Sequence, residues 1–269
     1  MVTDLACAVV TILAIALLIL SLSMLINKPE GETSREVVVR GHFGSVQGVR
    51  HTVLGHTDVY TFLGVPYAHP PLGDLRFRRS FLDSDTSLSL GLEIDATSAR
   101  PACVQSSSDA SLTIVSEDCL HLNIWTPTKE CTHASCADKP VLVFLHGGSF
   151  QTGGNAHPLY DGRYLSAFGD AVIVVPNYRL GAMGFLNAGS ANAPGNVGLD
   201  DQLVALQWTR KNIGSFGGNA SNMVLVGYGA GAAAAGYLLF ASAAGTVDSE
   251  VVPRRAILMS GSPFTRYSE

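Results

Sequence analysis

The sequence predicts an α/β fold, in which the strands of a mostly parallel sheet alternate with flanking helices. Apolar residues make up 47% of the 269 residues and charged residues only 14%, so the chain can bury a large core. Continuous apolar runs, the pattern of buried parallel strands, recur between helix-like segments. The runs are Val141–Leu145, Ala171–Val175, Met223–Val226 and Ala256–Met259.

The chain begins with an apolar segment, Leu5–Ile26, which contains no charged residue, proline or glycine. As a helix of about 1.5 Å per residue it is long enough to cross a bilayer. Residues 1–27 are therefore predicted to be an uncleaved signal anchor or, alternatively, a cleaved signal peptide. The absence of Lys and Arg before the segment favours the anchor. Residues 28–35 form a short polar stalk in this prediction.

Residues 36–269 are predicted to form one domain, which starts with antiparallel strands. From Val37 to Tyr67, short apolar runs alternate with glycine-containing turns, which is typical of hairpins. The other predicted elements are a strand at Leu120–Trp125, an amphipathic helix at Asp200–Ile213 and an alanine-rich helix from Ala230 to about Ala241.

Cysteines and a sequon indicate a secretory compartment. Cys103 and Cys119 are separated by 15 residues and Cys131 and Cys136 by four, and two such pairs after a targeting segment predict disulfides. Free surface thiols are the alternative for the second pair. Asn219 heads the sequon Asn-Ala-Ser, which is either glycosylated or an unmodified turn. The domain is therefore predicted to be extracellular or lumenal, either membrane-tethered or secreted.

The composition argues against several classes of ligand. The net charge is −5 and no basic cluster is present, so no nucleic-acid partner is predicted. The cysteine spacing does not suit a zinc site, and neither a metal nor a cofactor is expected. The membrane, through residues 5–26, and a protein partner of the domain are the predicted contacts.

The run Gly227–Gly231 is the main functional motif. It follows an apolar strand, opens a helix and matches the G-x-S-x-G nucleophile elbow of α/β-hydrolases, except that Gly229 stands at the serine position. Glycine has no side chain that can attack a carbonyl. The same residues fit the dinucleotide fingerprint G-x-G-x-x-A, with Asp248 near the offset of a ribose-binding acid. No second apolar strand precedes Asp248, so a dinucleotide-binding enzyme is only a remote alternative.

Several ordered blocks carry a family resemblance that extends from about Val37 to the last residues. They are Phe62–Ala68, Ser116–Asn123, Leu145–Phe150, Asn177–Gly181, Gly195–Gln202 and Leu258–Ser262. With these blocks the chain resembles type-B carboxylesterases, the family that includes cholinesterases and their adhesion relatives. The resemblance implies the N-terminal half of an α/β-hydrolase fold.

The resemblance also assigns roles to particular residues. The oxyanion-hole donors would be the backbone N–H groups of Gly148, Ser149 and Ala230, although the family usually has a glycine where Ser149 stands. Arg76 and Glu117 would form a buried structural ion pair, with two solvated charges as the alternative.

Catalysis is not expected from the sequence as it stands. The order of the triad in α/β-hydrolases is Ser, Asp or Glu, then His. All eight histidines lie at or before His157, so none follows the elbow. The segment between Cys103 and Cys119 contains no aromatic residue, whereas cholinesterases carry a Trp there, so no choline-type site is expected.

The prediction is a non-catalytic family member that acts by binding, as the adhesion relatives do. The alternative is that these residues are part of a longer carboxylic ester hydrolase that uses acyl-enzyme chemistry.

Overall fold

The computed structural model describes residues 35–82, 93–106, 109, 112, 114–129, 131, 136 and 138–265. The predicted anchor or signal segment, residues 1–27, lies outside the described residues, as do residues 28–34 of the predicted stalk. No helix in the described ranges combines the length and the apolar character that a membrane crossing requires.

A mixed sheet organises the domain, and two small two-stranded sheets accompany it. The strands are β1 (Arg35–Gly41), β2 (Gly44–Val53), β3 (Thr57–Pro66), β4 (Glu93–Asp95), β5 (Ala102–Cys103), β6 (Val115–Ser116), β7 (His121–Thr126), β8 (Lys139–Leu145), β9 (Val172–Pro176), β10 (Asn187–Ser190), β11 (Ala193–Pro194), β12 (Gly218–Tyr228) and β13 (Ala256–Met259). The order in the large sheet is β1-β2-β3-β7-β9-β8-β12-β13, with β4 beside β2.

Apart from β4, which pairs parallel with β2, the sheet is antiparallel in its first part and parallel in its second. Strands β1, β2, β3, β7 and β9 pair antiparallel in that order. Strand β8 then pairs parallel with β9 and β12, and β12 pairs parallel with β13. The connections in this second part contain helices, as parallel neighbours require.

Four α-helices lie within the described residues. They are α1 (Arg163–Gly169), α2 (Gly181–Phe185), α3 (Val197–Asn212) and α4 (Ala230–Ala243), with 3-10 turns at Gly73–Leu75, Pro158–Tyr160 and Ile213–Phe216. Alternate residues of β8 join two different cores. Val141, Val143 and Leu145 belong to the larger core with α3 and α4, whereas Leu142 and Phe144 pack against the smaller core, as does Ala167 of α1.

The predicted fold class is confirmed, and most predicted strands and helices lie within a few residues of the observed ones. The antiparallel region is larger than the N-terminal hairpins alone, because β7 and its partner β9 extend it to the middle of the sheet. Asp248 lies in the turn region between α4 and β13 and accepts a hydrogen bond from the N–H of Glu250. It ends no strand, which removes the geometric basis of the dinucleotide alternative.

Candidate active-site elbow and its surroundings

Residue 229 lies at the turn between β12 and α4. Its backbone has φ 55° and ψ −118°, and its N–H donates to the carbonyl oxygen of Met259 at 2.9 Å. Glycine reaches this positive-φ region without the steric penalty that a Cβ brings. The chain therefore makes the sharp strand-to-helix turn that the motif predicted, with no side chain at its apex.

The three glycines of the elbow differ in the space around them. A Cβ on Gly227 would lie 2.3 Å from the carbonyl oxygen of Gly231, and a Cβ on Gly231 would lie 2.1 Å from the carbonyl oxygen of Leu145. A Cβ on Gly229 would meet only the Cα of Gly147, at 3.9 Å. The outer glycines are required by close backbone packing, whereas the central position has room for a side chain.

The loop after β8 forms a tight turn beside the elbow. Gly148 has φ 117°, and its carbonyl oxygen accepts from the N–H groups of Gln151 and Thr152 at 2.9 and 3.0 Å. Ser149 and Phe150 follow with φ 55° and 59°, two consecutive left-handed residues. The serine therefore occupies a conformation that favours glycine, the residue usual in the family at this position.

The three predicted oxyanion-hole donors have no acceptor in the part of the domain that the structure describes. Within the described residues, the N–H groups of Gly148, Ser149 and Ala230 donate to no backbone or side-chain acceptor. Ala230 is the first residue of α4, where a backbone N–H has no partner inside its own helix. Their assignment as an oxyanion hole stays a prediction, and their availability is compatible with it.

His146 lies next to this loop but is not placed to act as a base. Its side chain is fully buried, and burial lowers the pKa of the imidazole to about 4. The ring stacks on Tyr178 at a centroid distance of 4.3 Å, and Nδ1 lies 2.9 Å from the carbonyl oxygen of Gly147. Tyr178 in turn donates from its hydroxyl to the carbonyl oxygen of His146 at 2.6 Å. The histidine is therefore a packing residue.

A buried ion pair joins Arg179, which follows β9, to Asp201 of α3. Nε and Nη2 of Arg179 donate to the two carboxylate oxygens at 2.8 and 2.7 Å, and the backbone N–H of Arg179 donates to Oδ2 at 3.0 Å. The side chains are only 3% and 0% exposed. The sequence reasoning missed this pair, although both residues lie in the family blocks Asn177–Gly181 and Gly195–Gln202, because nothing in their spacing marks them as partners.

The predicted pair of Arg76 and Glu117 forms, but its predicted burial is wrong. Nε and Nη2 of Arg76 donate to the two carboxylate oxygens at 2.6 and 2.7 Å, while the side chains are 45% and 25% exposed. Arg76 directly follows the Gly73–Leu75 turn on the surface. The pair is therefore a bidentate contact that water reaches.

The structure forms both predicted disulfides, Cys103–Cys119 and Cys131–Cys136. Next to the first, the side chain of Gln105 forms a two-way contact with the backbone of Gly153. Its Nε2 donates to the carbonyl oxygen of Gly153 at 2.6 Å, and the N–H of Gly153 donates to Oε1 at 2.8 Å. Gln105, two residues after Cys103, therefore connects the segment that follows this cysteine to the loop after β8. The sequence analysis did not identify Gln105.

A groove of about 880 Å³ opens beside this loop and is called the Ser149 groove. Its walls are residues 104–106, the loop residues 149–152, residues 180–183 and Phe185 at α2, and the side chains Asn196, Leu199 and Tyr237. Ser149 belongs both to the groove and to the set of candidate donors. The groove therefore adjoins the elbow region, and no sequence pattern had indicated it.

The remaining predicted sites do not change this description. Asn219 lies half-buried at the start of β12, where its Oδ1 accepts from the N–H of Ser221, and its glycosylation stays a prediction. Among the residues that the structure describes, no group of three or more His, Cys, Asp or Glu side chains is placed to hold a metal ion.

Comparison with known proteins identifies relatives of this domain. The model of the carboxylesterase family matches residues 35–268. The chain is 43% identical to acetylcholinesterase-1 of Trittame loki over 221 residues, which are 77% of this chain and 38% of that protein. It is 39% identical to the cholinesterase of Mus musculus over 254 residues, 89% of this chain and 40% of the relative. The chain thus spans about two fifths of the length of these relatives.

Proposed function

The chain belongs to the carboxylesterase family. We propose that these 269 residues act by binding a ligand or partner rather than by hydrolysing an ester. The observation that carries the proposal is the turn at residue 229. Its backbone is that of an elbow, with φ 55° and ψ −118°, yet Gly229 provides no hydroxyl. Acyl-enzyme chemistry needs a nucleophile activated by a nearby base.

The residues around the elbow offer no substitute for the missing groups. Tyr228, the neighbour of Gly229, is 48% exposed, and within the described residues its hydroxyl hydrogen-bonds to no base that would activate it as a nucleophile. His146, the histidine beside the loop, is buried against Tyr178 and holds a pKa of about 4. The N–H groups of Gly148, Ser149 and Ala230 remain available as donors beside residue 229, where there is room for a side chain. This arrangement supports binding of a carbonyl group without turnover.

The experiment restores the nucleophile alone. Gly229→Ser in the full 269-residue chain is expected to release no p-nitrophenol from p-nitrophenyl acetate above the level of Gly229→Ala. The alanine variant is the matched control, because it places a Cβ on the same backbone without a hydroxyl. Turnover by the wild-type protein, or by Gly229→Ser alone, would contradict the proposal.

A second candidate function is that of a carboxylic ester hydrolase whose active site needs residues beyond these 269. The observation in favour of this function is that the matched residues make up only 38% and 40% of the length of two relatives. Intact mass and a peptide map of the protein from its native source decide between the two. A mass near 28.3 kDa plus any glycan supports the binding proposal, and a mass about twice that, with serine in the elbow peptide, supports the hydrolase.

We also propose that residues 5–26 tether the domain to a membrane with the domain on the extracellular or lumenal side. Two disulfides support the side of the membrane, because they persist in oxidising compartments. The same peptide map checks the tether, since a mature N-terminus after residue 27 would show that the segment is cleaved.

A further inference from the structure

A patch of large apolar side chains lies on the surface formed by α1 and the turn between β2 and β3. It consists of Tyr164, Leu165 and Phe168 on α1 and Leu54 in the turn, and we call it the α1 patch. These four side chains are 52–67% exposed. Several large apolar side chains exposed together mark a surface that contacts another protein or a lipid bilayer.

The two parts of the patch lie over the same small core. Val53, the residue before the turn, belongs to this core, and Ala167 of α1 packs against it. Nη1 of Arg163, the first residue of α1, lies 3.5 Å from Nδ1 of His51 in β2. The helix and the turn are therefore neighbours, and their exposed side chains belong to one face of the domain.

Leu54 is an unusual residue for its position. Its φ of 48° lies in the left-handed region, where glycine and asparagine are the usual residues of a tight turn. Its side chain is mostly exposed, so it adds little to the core. A leucine here carries a conformational cost that packing inside the domain does not offset, which points to a contact outside the domain.

The patch lies at the end of the large sheet where the chain enters the domain. A row of paired residues crosses the sheet at this end, namely Arg35 of β1, Arg50 of β2, Tyr60 of β3 and Thr126 of β7. Strand β9 also begins here, because its second residue, Ile173, pairs with Trp125 of β7. Helix α1 ends just before β9, and the turn after β2 follows Arg50 by a few residues. Both parts of the patch are therefore close to the start of β1.

The link between the apolar N-terminal segment and β1 is short. Eight residues, 27–34, connect Ile26 to Arg35. Even a fully extended chain covers only about 3.3–3.6 Å per residue, so the start of β1 stays within roughly 30 Å of the end of that segment. A link of this length keeps the domain surface and the bilayer at a high effective concentration, and a weak contact between them is then populated.

We propose that the α1 patch rests on the surface of the bilayer to which residues 5–26 tether the domain. The proposal rests on the tether proposed above and adds which face of the domain meets the lipid. Tyr164 suits such a contact, because its ring is apolar and its hydroxyl can stay among the headgroups. Leu54, Leu165 and Phe168 supply apolar area for the boundary between headgroups and acyl chains.

The charges that flank the patch are paired within the domain. The pairs are Arg163–Asp161, Arg50–Asp58 and Lys139–Asp170, with N–O distances of 2.7, 2.6 and 2.8 Å. These pairs contribute no excess of positive charge, which is what attracts a protein surface to anionic lipid. The contact therefore depends on apolar area, and we expect it to form on neutral phosphatidylcholine and to persist at high salt.

The test places a tryptophan in the patch of the full 269-residue chain. Phe168→Trp is reconstituted in phosphatidylcholine vesicles with and without bromine on the acyl chains, because bromine quenches an indole that it contacts. Phe264→Trp is the matched control, since Phe264 is also exposed and follows the end of β13 that is opposite to α1. The native Trp125 and Trp208 are buried, and the wild-type signal is subtracted.

Brominated lipid is expected to quench the tryptophan at residue 168 at least about twofold more than the one at residue 264, because an apolar surface of this kind sinks about 5–10 Å into the headgroup region. Equal quenching of the two, or quenching at residue 168 that disappears at high salt, would overturn the proposal.

A second pair of variants tests whether the turn shares the contact. Leu54→Asn, made in the Phe168→Trp chain, removes the apolar side chain and keeps the left-handed turn, which asparagine tolerates. Leu72→Asn is the matched control, because Leu72 is also exposed and follows the other end of β3. Leu54→Asn is expected to reduce the quenching severalfold and Leu72→Asn to leave it unchanged. Equal effects of the two variants would contradict a shared surface.

Flotation of the same vesicles separates this proposal from the tether. A chain that floats with the vesicles but shows no quenching at residue 168 contradicts the patch proposal alone. A chain that does not float contradicts the tether, and the patch proposal fails with it. Emission from residue 168 that shifts to the blue as the protein density rises, without quenching by brominated lipid, would show that a second copy covers the patch and would overturn the proposal.

Discussion

Two bidentate arginine–carboxylate pairs in this domain have nearly the same geometry and very different surroundings. Arg179 and Asp201 meet at 2.7 Å with side chains 3% and 0% exposed, and Arg76 and Glu117 meet at 2.6 Å with side chains 45% and 25% exposed. The Coulomb energy of a pair depends on the local dielectric as much as on the distance. A similar contact is therefore expected to matter greatly at one place and little at the other.

The largest effect is expected from Asp201→Asn, which leaves the charge of Arg179 buried without a partner. Removing one member of a buried pair costs about 3–5 kcal/mol of unfolding free energy. Urea denaturation of the variant measures the loss. Asp200→Asn is the matched control one residue away, because its carboxylate pairs with Arg79, whose side chain is 71% exposed. A loss no larger than that of the control would contradict the structural role of the buried pair.

An intermediate effect is expected from acid, because His146 is buried as the neutral imidazole. Its pKa is about 4 in the folded chain and near 6.5 in an unfolded one, so the unfolded chain takes up a proton first as the pH falls. The free energy of unfolding should therefore decrease from about pH 6.5 down to pH 4, by about 3 kcal/mol in total.

Urea titrations at several pH values measure this slope. His146→Phe, which keeps an aromatic ring against Tyr178 and cannot titrate, should remove most of it. Burial also lowers the pKa of His121, so a residual slope is expected in the variant. A slope identical to that of the wild type would show that His146 is not the group responsible.

The smallest effect is expected from the exposed pair. Arg76→Gln should shift the urea midpoint least of the three changes, and the shift should shrink further at high salt, because exposed ion pairs are screened. Arg76→Lys keeps the charge but loses the fork that contacts both oxygens of Glu117, so it separates charge from geometry. A loss as large as that of Asp201→Asn would remove the distinction between the two pairs.

The parts of this molecule that repeat a local pattern were predictable from sequence. Apolar runs indicated the strands β8, β9, β12 and β13. The spacing of the glycines indicated the elbow. Glycine is needed at Gly227 and Gly231 because the backbone packs too closely there for a larger residue. Long-range arrangements were not predictable in this way. The partnership of Arg179 and Asp201, 22 residues apart, and the extent of the antiparallel region depend on tertiary packing. The exposure of Arg76 depends on it too.

The backbone conformation at residue 229 has a consequence for the balance between stability and activity. Holding an L-residue at φ 55° and ψ −118° raises the free energy of the folded state by on the order of 1–3 kcal/mol. A serine nucleophile at this turn would introduce that strain into the folded protein. Gly229 adopts the same turn without that strain. A glycine at residue 229 thus keeps the turn of the elbow free of this backbone strain, and Gly229→Ser should unfold at a lower urea concentration than the wild type.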